Sequence, residues 1–180
     1  MPSSGMSRRT ILVCVGLLTL AAATAALAQP IPQLLYNGSA SEPEGWYVRS
    51  PAPPALGRLI AFRVPPAGRA YARAHLPSVA RGSILKTIAA VQGDKVCAVH
   101  NVLSVNGRVL GQISVRDRQG RGLPQWRGCR PMGRGEYFVF SDRIANSFDS
   151  RYYGPVRQDD LIGVYRPLRG LGSPSGARKA

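Results

Sequence analysis

The stretch Ile84-Leu85-Lys86-Thr87-Ile88-Ala89-Ala90-Val91-Gln92-Gly93-Asp94 carries one cation inside an otherwise apolar and small-residue run and then stops at a Gly-Asp pair. Seven to eight residues rich in β-branched and aliphatic side chains, closed by a turn signal, read as a strand. Period-two alternation puts Lys86 on the same face as Ile84, Ile88 and Ala90, so its ammonium projects among apolar neighbours. The plainer alternative is a lysine whose stem lies on the apolar face while its head reaches water at a strand edge. Outward from this segment the same texture repeats. Further strands are predicted over Leu59 to Val64, Lys95 to Val105, Arg108 to Val115, Tyr137 to Phe140 and Leu161 to Tyr165. Asn106-Gly107 joins two of these runs as a hairpin turn, because both central positions of a type I′ turn need positive φ. No long amphipathic helix period occurs after residue 30, and Pro51 to Gly57 and Pro65 to Gly68 read as surface loops at the sheet edges. The fold class is therefore mainly β, a single compact antiparallel domain preceded by an N-terminal apolar helix.

The chain has 180 residues, a formal charge of +15 and a pI near 11.0. That length suits one domain, and the charge suits an anionic partner such as nucleic acid or a phospholipid surface without choosing between them. Arg8 and Arg9 precede an uncharged run from Thr10 to Ala28 that ends in Ala26-Leu27-Ala28 before Gln29, the pattern of an export segment with a cleavage site. Residues 1–28 are thus a signal peptide or a membrane anchor, both open, with the arginines on the cytoplasmic side and the remainder across. Residues 29–168 form the folded domain and 169–180, rich in Gly, Ser and Pro, a disordered tail.

Cys14 lies in the apolar segment, which leaves Cys97 and Cys129 as a pair in an oxidising compartment. A bridge between them is expected, two buried thiols being the alternative. With His75 and His100 the only histidines and no Cys-x-x-Cys or His-x-x-x-His spacing, no metal and no cofactor are expected, and structural or surface roles are assigned to both histidines.

Near the C-terminus stands Asn146-Ser147-Phe148-Asp149-Ser150-Arg151-Tyr152-Tyr153-Gly154-Pro155-Val156, which resembles the last signature box of signal-peptidase-type serine proteases. The segment Asn37-Gly38-Ser39-Ala40-Ser41-Glu42-Pro43-Glu44-Gly45-Trp46-Tyr47 resembles the nucleophile box of the conjugative-transfer, TraF-type branch of that superfamily, and Leu85 to Asp94 its lysine strand. The resemblance runs from about Asn37 to Pro167. It implies the signal-peptidase/LexA-like β fold, Ser41 as nucleophile and Lys86 as general base. It implies further that Ser39 helps hold the oxyanion, unless that serine only caps the turn, that Ser147 orients the lysine amine, that Asp149 and Arg151 brace the site, and that Gly93 and Asp94 form a structural turn. Asp149 and Arg151, two apart on a segment read as extended, would share a face, so they can pair with each other or with the turn behind them.

A lysine can take a proton from a serine near neutral pH only if its pKa falls by roughly three units from about 10.4, which burial among apolar side chains achieves. Two departures stand out: Glu42 occupies the place of a methionine in general signal peptidases, and Ser141-Asp142-Arg143 matches their Gly-Asp-Asn only loosely. The short span between the lysine and last boxes also leaves no room for a large extra β domain.

The function implied is a membrane-proximal serine endopeptidase at the periplasmic face of the inner membrane, processing exported precursors such as a pilin bound as an extended strand. Apolar surface from Ile31 to Tyr36 with Trp46 and Tyr47 would keep the site near the bilayer, core packing being the alternative for these aromatics. No specific nucleic-acid partner is expected. The competing readings are a general type I signal peptidase, a self-cleaving regulator of the LexA type, and a catalytically inactive basic component of a secretion channel.

Overall fold

The computed structural model describes Arg8, Arg9, residues 12–15, residue 17 and residues 31–168. Contacts divide the chain into Met1–Ile31 and Pro32–Ala180. In the first unit the described residues are helical up to residue 17, and none of the described helices is long and apolar enough to cross a membrane. The expected cleavage site at Ala26-Leu27-Ala28 and the expected tail over 169–180 lie outside the described residues.

The second unit is mainly β, built from antiparallel pairs. Its strands are β1 (Leu34–Asn37), β2 (Gly45–Ser50), β3 (Leu59–Phe62), β4 (Ile84–Ala90), β5 (Lys95–Val99), β6 (Val102–Val105), β7 (Arg108–Gln112), β8 (Gly128–Pro131), β9 (Glu136–Val139), β10 (Val156–Arg157) and β11 (Leu161–Pro167). A seven-stranded sheet runs β1-β2-β11-β3-β4-β9-β10, and a four-stranded sheet runs β7-β6-β5-β8. Among the described residues the unit also carries three short α-helices, α1 (Pro66–His75), α2 (Pro77–Arg81) and α3 (Ser150–Tyr153), and a 3-10 turn at Gln158–Asp160.

Strand β4 sits inside the larger sheet with β3 on one side and β9 on the other, and both of its faces are covered. Ile84, Ile88 and Ala90 belong to the main core with Ile60, Phe62, Phe138 and Val139. Leu85, from the opposite face, joins a smaller cluster with Tyr47, Ala61 and Tyr165. The alternation that put Lys86 among apolar neighbours is thus realised, and Lys86 is only 4% exposed. Tyr47 is in this smaller core, so the expectation that it faces a bilayer gives way to its alternative.

Two other expectations are corrected. The predicted strand from Lys95 to Val105 is two strands, because His100 and Asn101 adopt φ of 50° and 58° and fold the run back on itself. The next turn, Asn106-Gly107, does the same with φ of 50° and 82°, so β5, β6 and β7 form a meander of two tight hairpins. Asn101 tolerates the left-handed region without the glycine that made the second turn legible.

Pro65 to Gly68 is not a loop but the entry to α1. Pro66 occupies the first helical turn, where its missing N–H costs nothing, and a Cβ on Gly68 would come within 3.0 Å of Tyr153 and 3.1 Å of Val64. Only Gly68 and Ala72 of this ten-residue helix are buried, so its buried stripe is short and made of small side chains.

Strand β8 is exposed throughout and has no alternating pattern. It is held by its ladder to β5, in which Cys97 faces Cys129, and by the disulfide between those two residues. The expected bridge is present, and closing a 32-residue separation contributes roughly 3 to 4 kcal/mol in the loop-entropy account.

Candidate active site

The hairpin between β1 and β2 carries Ser41 and is shaped largely by one side chain. Asn37, buried at the end of β1, donates its amide to the carbonyl oxygens of Ser39 (2.9 Å), Glu42 (3.1 Å) and Pro43 (3.0 Å) and accepts from the Ser39 N–H at 3.1 Å. Tyr47 Oη donates to Pro43 O at 2.6 Å, and the Ser141 hydroxyl donates to Ser41 O. The loop around Ser41 is therefore tied from within the hairpin and from the segment that follows β9. The role of Asn37 was legible only as residue type: Asn side chains satisfy nearby backbone groups in turns, but its place in the box gave no sign of so many bonds.

Lys86 projects from β4 to this loop. Its Nζ lies 2.5 Å from Ser41 Oγ and 3.2 Å from Leu85 O. Both residues of the pair are buried, Ser41 at 2% exposure. Burial depresses the lysine pKa; Asp149 and Glu42 oppose that by attraction, and Arg151 reinforces it by repulsion. Ser39 Oγ lies 2.8 Å from Ser41 Oγ, and the Ser41 N–H points to Ser39 Oγ at 3.4 Å. The serine hydroxyl is thus held between an amine that can accept its proton and a second hydroxyl that can donate.

Asp149 and Arg151 do pair, although not on an extended segment. Asp149 is the N-cap of α3, accepting from the Arg151 N–H at 3.2 Å, and Arg151 is within the helix. The guanidinium spans the carboxylate with Nε to Oδ1 and Nη2 to Oδ2, each 2.8 Å, and both side chains are buried. Its other contacts are Nη1 to Gln112 O at 2.9 Å, Nη2 to Ser147 O at 3.2 Å, and the rings of Phe140 and Tyr152. Asp149 Oδ2 also accepts from the Ser141 N–H at 3.3 Å, which links the ion pair to the residue clasping Ser41.

The expected bond from Ser147 to the lysine amine is not made. Ser147 is buried, but its hydroxyl has no hydrogen-bond partner among the described residues, and the Lys86 amine bonds Ser41 and Leu85 instead. Gly93 takes φ of 90° in the turn after β4, while Asp94 accepts from Val91 N–H and Asn106 Nδ2, each at 2.8 Å, so this turn fastens the two sheets' connections together.

One residue noted in the sequence only as a departure is built into the site. Glu42 is buried, and its Oε1 accepts from the Thr87 N–H at 2.9 Å and the Thr87 hydroxyl at 3.1 Å. Burial raises its pKa, partly offset by the Thr87 bonds and by the charges of Lys86 and Arg143. Beside it opens a cleft of about 560 Å³ lined by Glu42, Thr87, Ile88, Phe140, Ser141 and Arg143 among others. Among the described residues no cluster of His, Cys, Asp and Glu is arranged to hold a metal ion.

A curled antiparallel sheet with a serine and a lysine buried against each other, flanked by a clasped acid–arginine pair, defines a class that comparison with known proteins names. Residues 7–168 match the family described as signal peptidase, peptidase S26, and the chain belongs to that family. Within it the chain is similar to a plasmid transfer protein TraF of Escherichia coli, at 32% identity over 142 residues covering 73% of this chain and 80% of that one. It is also similar to a conjugal transfer protein TraF of Agrobacterium fabrum, at 26% identity over 175 residues covering 91% and 97% of the two chains. A shorter match of 62 residues, 34% identical, links 34% of this chain to 32% of signal peptidase I V of Bacillus subtilis.

Proposed function

We propose that this protein is a membrane-proximal serine endopeptidase that cleaves exported precursors, with Ser41 as nucleophile and Lys86 as general base, and that its substrates belong to a conjugative transfer system, a pilin foremost. The observation that carries the reading is the 2.5 Å separation of Lys86 Nζ and Ser41 Oγ in a buried setting that favours the neutral amine. Neutral Lys86 takes the hydroxyl proton as Ser41 Oγ attacks the scissile carbonyl. The oxyanion is received by the Ser41 N–H and the Ser39 hydroxyl, the proton passes to the leaving amine, and water then resolves the acyl-enzyme.

Placement beside a bilayer is supported by the surface around the nucleophile hairpin. Leu34, Tyr36 and Trp46 are exposed, with the Tyr36 and Trp46 rings in edge contact at 5.2 Å, and the chain's formal net charge of +15 is one that an anionic lipid surface attracts. The same charge favours the competing reading of an inactive basic component of a secretion channel. Ser41→Ala and Lys86→Ala decide between them. Precursor maturation in cells carrying either variant is expected to stop while the protein is still made and folded. Continued maturation with Ser41→Ala would sink the proposal.

A further inference from the structure

The two halves of the dyad come from different places, Ser41 from the β1–β2 hairpin and Lys86 from β4, and their separation depends on how those elements are joined. Asn37 shapes the hairpin internally and cannot set that distance. One side chain does cross the gap beside the dyad. Glu42 follows Ser41, Thr87 follows Lys86, and the Glu42 carboxylate takes both the main-chain N–H and the hydroxyl of Thr87. The Thr87 carbonyl accepts from Phe140 N–H at 3.2 Å while the Thr87 N–H goes to the carboxylate at 2.9 Å, so a main-chain donor of the lysine strand is satisfied from the nucleophile hairpin.

We propose that Glu42 is a positioning residue of the serine–lysine dyad: its carboxylate staples the nucleophile hairpin to the lysine strand and so fixes the distance across which the proton moves. The inference rests on the serine–lysine reading above. Four charged groups bear on it. Glu42 from the hairpin and Asp149 from the cap of α3 favour the ammonium, Arg151 of α3 disfavours it, and Arg143 faces Glu42 and helps keep that carboxylate ionised. The remaining neighbours of the amine, Ser41 Oγ and Leu85 O, are neutral. Asp149 is neutralised by its bidentate arginine, so Glu42 is the carboxylate whose charge is not clasped by a guanidinium. It works against burial on the lysine, and the protein keeps it because the same group holds the geometry.

The test uses the full chain with Glu42→Gln, Glu42→Ala and Thr87→Val, read by kcat, KM and the pH profile of precursor cleavage. Glutamine keeps an acceptor oxygen but no charge, so it is expected to hold kcat within a few-fold at alkaline pH while the acidic limb moves to lower pH. Alanine loses both, and kcat is expected to fall about tenfold to a hundredfold with KM little changed, as misplacement of reacting groups does. Thr87→Val removes one of the two bonds and falls between. A Glu42→Ala variant within threefold of wild type, or an alanine defect that glutamine does not relieve, overturns the staple; an unmoved limb in Glu42→Gln overturns the charge effect. If Glu42→Ala does not fold, the glutamine and Thr87 variants decide alone. A second readout needs no cleavage: in Ser41→Ala protein the Lys86 amine is titrated by NMR with and without the added Glu42→Gln change, and its pKa is expected to be lower when that change is present. That titration tests the charge effect without relying on cleavage, whereas failure of the protease reading would appear as cleavage indifferent to Ser41.

Discussion

The two sheets of this protein solve opposite problems. In the seven-stranded sheet, β4 and its neighbours bury a lysine, a serine, a glutamate and an acid–arginine pair, and nearly every polar atom there is given a partner. In the four-stranded sheet, β8 is exposed along its whole length and buries nothing, so a covalent bridge at Cys97 and Cys129 supplies what packing does not. The comparison teaches what each region's exceptional element depends on: buried charges on one side depend on satisfying one another, while on the other a strand that buries nothing is tied by a cross-link to a sheet whose Val96, Ala98, Leu103 and Val105 pack into the main core. Perturbing one should leave the other's signature intact.

The largest effect is expected at the acid–arginine pair. Asp149→Asn leaves the Arg151 guanidinium buried without its counter-charge and should destabilise the fold by about 3 to 5 kcal/mol, measured by denaturant unfolding. Activity should fall with it, because Asp149 also bonds the Ser141 N–H. A loss below about 1 kcal/mol would mean that the buried guanidinium does not depend on the Asp149 charge. Next comes the other region: Cys97→Ser with Cys129→Ser should cost roughly 3 to 4 kcal/mol on the same measurement. Cleavage by whatever fraction remains folded should be unchanged, since neither cysteine touches the dyad. A third change sharpens the contrast from within the site. Ser39→Ala removes the hydroxyl 2.8 Å from Ser41 Oγ and should slow the chemical step by about a hundredfold to a thousandfold, with little change in stability. If kcat is unaffected, Ser39 only caps its turn.

What could be read in advance follows the same division. The lysine face of β4 was legible because strand periodicity is a local property, and burial on both sides of β4 only deepened it. The Asn106-Gly107 hairpin was legible because its glycine announces positive φ, whereas His100-Asn101 makes the same turn with side chains that do not. Strand β8 carries no pattern because no face of it is buried, and α1 was hidden by a stripe made of a glycine and an alanine. In the site, Ser41, Lys86, Asp149 and Arg151 were nominated by motif and lie close together, but the helix that presents the last two was not foreseen. Glu42 and Asn37 were missed as bonding partners because their roles are long-range or main-chain contacts, which only the fold creates.

The smallest effect is the most discriminating, because its sign is unusual for a residue placed at the centre of the chemistry. In the unfolded chain Lys86 keeps its proton up to about pH 10.5, while in the folded protein burial makes it release that proton at lower pH. Between the two values the unfolded state binds more protons, so stability rises with pH through that window and falls as the solution is acidified. Below the window both states carry the charge, and folding bears the full cost of burying it. Lys86→Met keeps the stem's volume and removes the amine, so it should abolish cleavage and yet stabilise the fold by about 1 to 2 kcal/mol. Its advantage over wild type should be greatest at acidic pH and shrink as pH climbs toward 10.5, measured as the difference in unfolding free energy across a pH series. The serine double variant of the cysteines, compared the same way, should show a deficit that does not change with pH over the same range, because no titrating group is involved. A Lys86→Met variant that is less stable than wild type at every pH would mean that the amine is held charged by Asp149 and Glu42, and that the larger sheet keeps an ion network where a neutral base is needed.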